Sequence, residues 1–265
     1  MAKYYFHDKD YRKTIYDVIT NWKQNCLLND GSLIWEGEAI WTQDNIRRFD
    51  TIFVNSPDDS SDTFDGKLEK QLDGEVESVY KFVIELMYIY YIFPSNSSNT
   101  FETKIGKLEK IAHWGGIQLN RENKVFNALD GGLGSPGSGY NSHRYHEISF
   151  LNSIVKQLKD QPIEERENIL NQPWELKQFV DDIRQTFGKK LQTQHIILHL
   201  LQPAYFERIV SWGHKQKVKN TFGYIVQDSN SHDMDYQLLQ IREKLEEQYG
   251  KDIDFYDHND IRKRV

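Results

Sequence analysis

The chain has 265 residues and carries 33 basic against 40 acidic side chains, a formal net charge of −7. That length can bury a substantial core in one large or two small domains, while the acidic balance excludes a protein that coats nucleic acid by bulk charge, so any such contact has to be a local patch. Hydrophobic residues reach only 38% and the mean hydropathy is −0.71, but aromatics make up 13%, so a core is built from Tyr, Phe and Trp and the chain reads as folded rather than disordered.

At the start of the chain Lys3, Asp8, Lys9 and Asp10 interrupt the stretch where a signal peptide needs an unbroken apolar run. From 10 to 24, Tyr11, Ile15, Val18, Ile19 and Trp22 recur at three- and four-residue spacing and predict a helix with one face on a core. Cys26 stands alone, which excludes an internal disulfide framework and a cysteine-rich zinc site and makes a reducing, cytoplasmic location the expectation. After Gly31, Leu33-Ile34-Trp35 and Ala39-Ile40-Trp41 flank a Glu-Gly-Glu turn and predict a small hairpin; Thr42 or Asp44 then caps a helix through Ile46, Phe49, Phe53 and Val54. Residues 57–65 form an acidic, Ser-rich loop anchored by Phe64.

The stretch 76–93 is apolar almost all round, but Glu77, Lys81 and Glu85 and its short length make it a central buried helix rather than a membrane span, stopped by Phe93-Pro94. A polar connector (95–100) leads to a helix over 102–114, closed by Gly115-Gly116, and Phe126 to Asp130 reads as a helix end. Beyond a glycine-rich loop, helical spacing recurs over 145–158, 164–170, 174–186 (with Pro173 at its first turn) and 195–201, ended by Gln202-Pro203. Tyr205-Phe206 begins a further helix into Ile209, Val210 and Trp212, 222–226 reads as a strand, and 236–249 as a charged amphipathic helix after a polar loop at 227–233. The fold class expected is mainly α, a multi-helix, bundle-like domain with at most a small hairpin, divided into a domain over 1–226 and a charged helical extension over 227–265.

The loop Gly131-Gly132-Leu133-Gly134-Ser135-Pro136-Gly137-Ser138-Gly139-Tyr140-Asn141 concentrates glycines ahead of a helix, where backbone N–H groups converge on an anion. It lacks the Gly-Lys-Ser/Thr of a nucleotide-hydrolysing loop, and no strand precedes it as a dinucleotide fingerprint requires, so it is either a structural turn stiffened by Pro136 or a phosphodiester contact. His195 and His199, four apart, sit among core-type residues with no following Glu, and His143-x-x-His146 is incomplete, so no metal is expected. Cys26 has no nucleophile context, no Gly-x-Ser-x-Gly elbow occurs, and Asp181-Asp182 near Lys189-Lys190 is a match that a charged helical protein produces cheaply. The chain is therefore expected to be non-catalytic and without a cofactor. The segment His214-Lys215-Gln216-Lys217-Val218-Lys219, after Trp212-Gly213 and with Arg208 upstream, is either a solvated helix face or a basic, aromatic-edged patch for a nucleic-acid backbone. Lys215, Lys217, Lys219 and Arg208 are the expected backbone cations. Ser138, Tyr140, His143 and Arg144, in and beside the glycine-rich loop, are the expected donors and stacking group.

Several segments, taken in order over about 30–225, resemble the region that precedes the AAA+ motor in McrB-type ATPases of modification-dependent restriction systems. They are Leu33-Ile34-Trp35 with Ile40-Trp41-Thr42, Lys67-Leu68-Glu69-Lys70-Gln71-Leu72, Tyr90-Tyr91-Ile92-Phe93-Pro94, the 132–141 loop, Pro173-Trp174, and Leu200-Leu201-Gln202-Pro203-Ala204-Tyr205-Phe206-Glu207-Arg208-Ile209-Val210-Ser211. The resemblance implies the N-terminal part of a larger defence protein that selects a target, for example modified DNA. It further implies a motor that assembles as a homo-oligomeric ring, a nuclease subunit as partner, and no membrane. Because the sequence reaches Ile261-Arg262-Lys263-Arg264-Val265 before any motor motif, ATPase and nuclease roles are not expected of these residues. The competing expectation is a protein-interaction adaptor that recruits the nuclease or senses a phage protein, since Tyr and Trp also favour protein interfaces.

Overall fold

The 3.6-residue periodicity becomes a stack of helices, each laying its apolar stripe on another. The computed structural model describes residues 11–95, 99–226, 233–250 and 253–264. Lys3, Asp8, Lys9 and Asp10, the middle of the 95–100 connector, all of the 227–233 loop except Asp233, and Val265 lie outside the described residues. Helix α1 (Tyr11–Asn21) runs straight into a π-helical turn (Trp22–Leu28) that buries Trp22, Cys26, Leu27 and Leu28. α2 (Gln43–Phe49), whose first turn is capped by Thr42, does the same through a π-helical Asp50–Val54. Thr63 caps α3 (Phe64–Leu72) and Thr100 caps α5 (Phe101–Trp114), each side-chain oxygen accepting a first-turn N–H. Between them α4 (Glu77–Ile92) is buried at every residue from Val79 to Ile92 and packs against α2 and α5. No helix among the described residues is long and apolar enough to cross a membrane.

A 3₁₀ turn (Lys124–Leu129) precedes the glycine-rich loop, which ends in the short α6 (Ser138–Ser142). α7 (Arg144–Lys159), α8 (Ile163–Asn171), α9 (Pro173–Phe187) and α10 (Gln192–Leu201) complete the main core, with α7 resting on both α4 and α9. α11 (Trp212–Phe222), a 3₁₀ turn (Gly223–Val226), α12 (Met234–Tyr249) and the short α13 (Asn259–Arg262) follow.

Four expectations are corrected. First, 33–41 is not a hairpin: among the described residues no strand forms, and an isolated parallel bridge pairs Pro94 with Gly134. The segment instead wraps the Glu85 carboxylate of α4, which accepts hydrogen bonds from Ser32 Oγ, Leu33 N–H (2.8 Å), Ile34 N–H (2.7 Å) and Trp41 Nε1–H. Backbone donors that a hairpin would pair across strands are thus consumed by one buried side chain. Second, 222–226 closes α11 and turns as 3₁₀ rather than extending as a strand. Third, no helix begins at Tyr205; 202–211 is irregular, because Glu207 and Arg208 turn inward to ion-pair partners on later segments. Fourth, the acidic loop expected over 57–65 ends at Thr63, which caps α3 from Phe64. Helix α12 packs against α11. Its Leu238, Ile241 and Leu245 cluster with Val218 and Phe222 of α11 and with Ile209, Ile253, Phe255 and Ile261, so a second small core begins near residue 209 and continues past the expected boundary at 226.

Burial pushes the Glu85 carboxyl upward and its four donors oppose that shift. Replacing it by an amide sets an NH₂ against N–H donors at a fully buried site. Glu85→Gln is expected to lower unfolding stability by about 2 kcal/mol, read as a reduced urea midpoint with an unchanged slope; a midpoint equal to wild type would show that the loop is held by other contacts.

Candidate functional site

Two pins hold the glycine-rich loop. At its start Leu133 N–H donates to Phe93 O (2.8 Å) and Ser95 N–H to Gly134 O (2.9 Å), across the end of α4. Gly132 makes this approach possible: its φ is +91°, and a Cβ there would lie 2.2 Å from the Pro94 carbonyl oxygen. At its end Tyr140 stacks on Tyr90 of α4 with ring centres 4.3 Å apart, and each hydroxyl donates to the other residue's carbonyl at 2.8 Å. Between the pins, Gly134 to Gly139 form one wall of a cavity of about 960 Å³. Arg184 of α9, Lys190, Leu191, and Gln192, Gln194 and His195 of α10 form a second wall. The third comprises Arg208, Val210, Ser211, the first turn of α11 (Trp212, Gly213, His214) and Tyr256.

Five of the lining side chains are Arg, Lys or His and none is Asp or Glu. Arg184 and Lys190 have no ion-pair partner among the described residues, and Lys190 is exposed. The other basic groups are engaged. Arg208 Nε and Nη2 donate to the two carboxylate oxygens of Asp254 (2.6 and 2.7 Å) and Nη1 to Leu133 O (2.5 Å). His214 Nδ1 lies 2.9 Å from Tyr256 Oη. Lys215, just behind the wall, is buried between Asp235 Oδ1 (2.5 Å) and His195 Nδ1 (2.9 Å). An ammonium only donates, so His195 Nδ1 accepts and the ring proton sits on Nε2. Burial first, then the Lys215 charge, depresses the His195 pKa to about 3, leaving a neutral imidazole with one N–H to offer. The first amides of α10 are not available to a ligand, because Glu147 accepts from Gln192 N–H (2.9 Å) and Thr193 N–H (2.8 Å). Trp212, 53% exposed, provides an open aromatic face in the lining.

The sequence-predicted residues divide sharply. Ser138 and Arg208 line the cavity, but the Arg208 donors are spent on Asp254 and Leu133. Lys215 is buried and paired, so it is not a surface cation for a backbone; its spacing to Val218 and Phe222 at i+3 and i+7 places it on the apolar face of α11, a pattern the run of charges obscured. Tyr140 is buried and its ring is stacked on Tyr90, so it does not present a face to a base. Lys217 is exposed and Lys219 half-buried on α11, both outside the lining. His143 is exposed between α6 and α7, and Arg144 lies over the Phe64 ring (5.0 Å) and 3.7 Å from Asp65; neither lines the cavity. Sequence reading missed Arg184 and Tyr256 as site residues. It weighed Lys190 and His195 only for nuclease and metal chemistry, because helix packing and not local spacing brings them together.

Other chemistry is committed elsewhere. His199 Nδ1 donates to Phe206 O (2.8 Å) and Nε2 accepts from Tyr16 Oη–H (2.8 Å), with burial depressing its pKa to about 4. Asp181 accepts from Lys177 and Gln194, and Asp182 from Gln178, whereas Lys189 faces His146. The Cys26 thiol is buried and pushed well above its ordinary pKa. Among the described residues no three metal-ligating side chains gather. No family model, curated protein or solved structure matches the chain.

Lys215→Glu places a second carboxylate beside buried Asp235 and is expected to cost about 3–5 kcal/mol of stability, while exposed Lys217→Glu should change it by less than about 0.5 kcal/mol; comparable losses in denaturant unfolding would contradict the buried pair. Unfolded imidazoles take up protons near pH 6.5, but folded His195 and His199 only near 3 and 4. The folded state therefore binds fewer protons across that window, and stability should fall as the pH drops through it. In ¹⁵N-detected titrations His195 should remain neutral and Nε2-protonated at pH 5; an imidazolium signal at that pH refutes the assignment.

Proposed function

We propose that this chain is a non-catalytic target-recognition module that binds DNA through phosphate contacts in the cavity between the glycine-rich loop and α11. The observation that carries this reading is the placing of Arg184 and Lys190, cations with no ion-pair partner among the described residues, on one opening whose lining holds no carboxylate, in a chain with more acidic than basic residues. Anions are attracted where cations lack partners, and Arg184 and Lys190 have none among the described residues. Trp212 adds a stacking surface suited to a base, and Lys217 continues the positive charge along α11. Following the resemblance to McrB-type proteins, the module hands the binding event to a ring-forming motor and a nuclease partner, with modified DNA as the target.

Fluorescence anisotropy of the chain with unmodified, methylated and hydroxymethylated duplexes at two salt concentrations tests the reading. Affinity should fall with salt, and Arg184→Glu with Lys190→Glu should weaken binding at least about tenfold and lower the salt slope by roughly 0.9 per lost phosphate contact. Absence of binding at low salt rejects the DNA reading and favours the protein-interaction adaptor.

A further inference from the structure

We infer that the ligand group of this cavity is the terminal phosphate of a nucleoside monophosphate unit, supplied by a free nucleotide or by the phosphorylated end of a single strand, rather than the internal backbone of a duplex. The inference rests on reading the cavity as a phosphate site, and it concerns which phosphate fits.

Shape is the first argument. The cations lie on the inner walls of a concavity of about 960 Å³, within the range of roughly 300–1,000 Å³ that encloses small ligands. A duplex presents its phosphates along a ridge and calls for cations spread over an outer surface, whereas the two cations without ion-pair partners among the described residues, Arg184 and Lys190, both line the concavity. Charge is the second. An internal phosphodiester carries one negative charge, whereas a terminal phosphomonoester carries about −1.5 to −2 at neutral pH and three acceptor oxygens. Arg184 and Lys190 supply two cations without carboxylate partners among the described residues, which matches the doubly charged group.

The lining holds further groups able to donate to a phosphate. His195, held by Lys215 on its Nδ1 side, offers an Nε2–H, and Ser138 offers a hydroxyl from the loop. Neither brings a competing negative charge. Trp212, in the lining and exposed, gives an attached base or sugar an aromatic surface in the same cavity.

The test uses the whole chain and calorimetric titration with dAMP, deoxyadenosine and inorganic phosphate. It adds anisotropy with single strands bearing a 5′-phosphate or a 5′-hydroxyl, and with a duplex whose ends are closed by hairpins. The expected result is dAMP binding at least about tenfold tighter than deoxyadenosine. That preference should be lost in Arg184→Gln/Lys190→Gln and retained in Lys13→Gln, a control at an exposed helical ion pair, whereas Trp212→Ala should weaken dAMP and deoxyadenosine alike and leave their ratio unchanged. Preference for the 5′-phosphate strand identifies a strand end as the source. Binding of dAMP without binding of any strand identifies a free nucleotide, upholding the phosphate assignment and rejecting the DNA reading. Duplex binding that ignores end chemistry and is not displaced by dAMP upholds the DNA reading and overturns this inference. Equal affinity for dAMP and deoxyadenosine overturns it too, and failure of every probe to bind overturns both.

Discussion

The walls of the cavity stand where they do because of one buried guanidinium. Arg208 grips both oxygens of Asp254, donates to the Leu133 carbonyl, lies 3.0 Å from Asp257 and covers the Tyr256 ring at 5.0 Å. Asp257 in turn pairs with Arg12 of α1 at 2.6 Å. A single side chain thus ties the glycine-rich loop and the 254–257 turn together, and through Asp257 reaches the first helix. Burying such charges is costly, and the arrangement is favourable only because the geometry is bidentate and the spare lone pairs are used. Asp254 Oδ1 also accepts from Tyr256 N–H (2.8 Å) and Asp257 N–H (3.1 Å), so the carboxylate is well satisfied. Burial acts to lower the Arg208 pKa, but Asp254 and Asp257 outweigh it and hold the group above its ordinary value, charged at any relevant pH.

The same residue types therefore play opposite parts around one cavity. Arg208 and Lys215 have exhausted their donors on protein partners and act as architecture: one fixes the loop and Tyr256, the other fixes the ring orientation of His195. Arg184 and Lys190 are without such partners among the described residues, and their field extends into the opening. Satisfaction, more than identity or position in a basic run, separates structural cations from those able to meet a ligand. Net charge says little here, since the field of a concave site is set by the few groups on its walls.

Most of the helices were legible in the sequence because apolar spacing and capping chemistry agree locally. Val79 to Ile92 is apolar nearly all round and is buried all round, and Thr42 sits where an N-cap is required. The misreadings share a cause, which is a partner distant in sequence. Ile34 and Trp41 look like strand residues until Glu85, 51 and 44 positions away, takes their N–H groups. Lys215 looks like a surface charge until Asp235, 20 positions on, buries it. The π-helical turns at Trp22–Leu28 and Asp50–Val54 also escape a 3.6-residue reading, because the wider turn rotates the stripe without interrupting it. The cavity was half visible: the glycine-rich loop and the Arg208–His214 stretch stood out separately, but nothing local brings Arg184, Lys190 and Tyr256 to them.

The position of the cavity between two cores has a thermodynamic consequence. Arg184, Lys190 and the loop belong to the part built on α4, whereas Trp212 and His214 head the helix whose Val218 and Phe222 enter the second core. A ligand that touches both walls makes its full set of contacts only while the two parts are docked. It then stabilises that arrangement through mass action, by about 2.7 kcal/mol at a free concentration one hundred times its Kd. Conversely, any change that loosens the Arg208 clamp reduces the population able to bind and weakens the apparent affinity by the same factor. Occupancy of the cavity and docking of the 209–264 segment are thus linked quantities, and the linkage requires no contact beyond those that already form the walls.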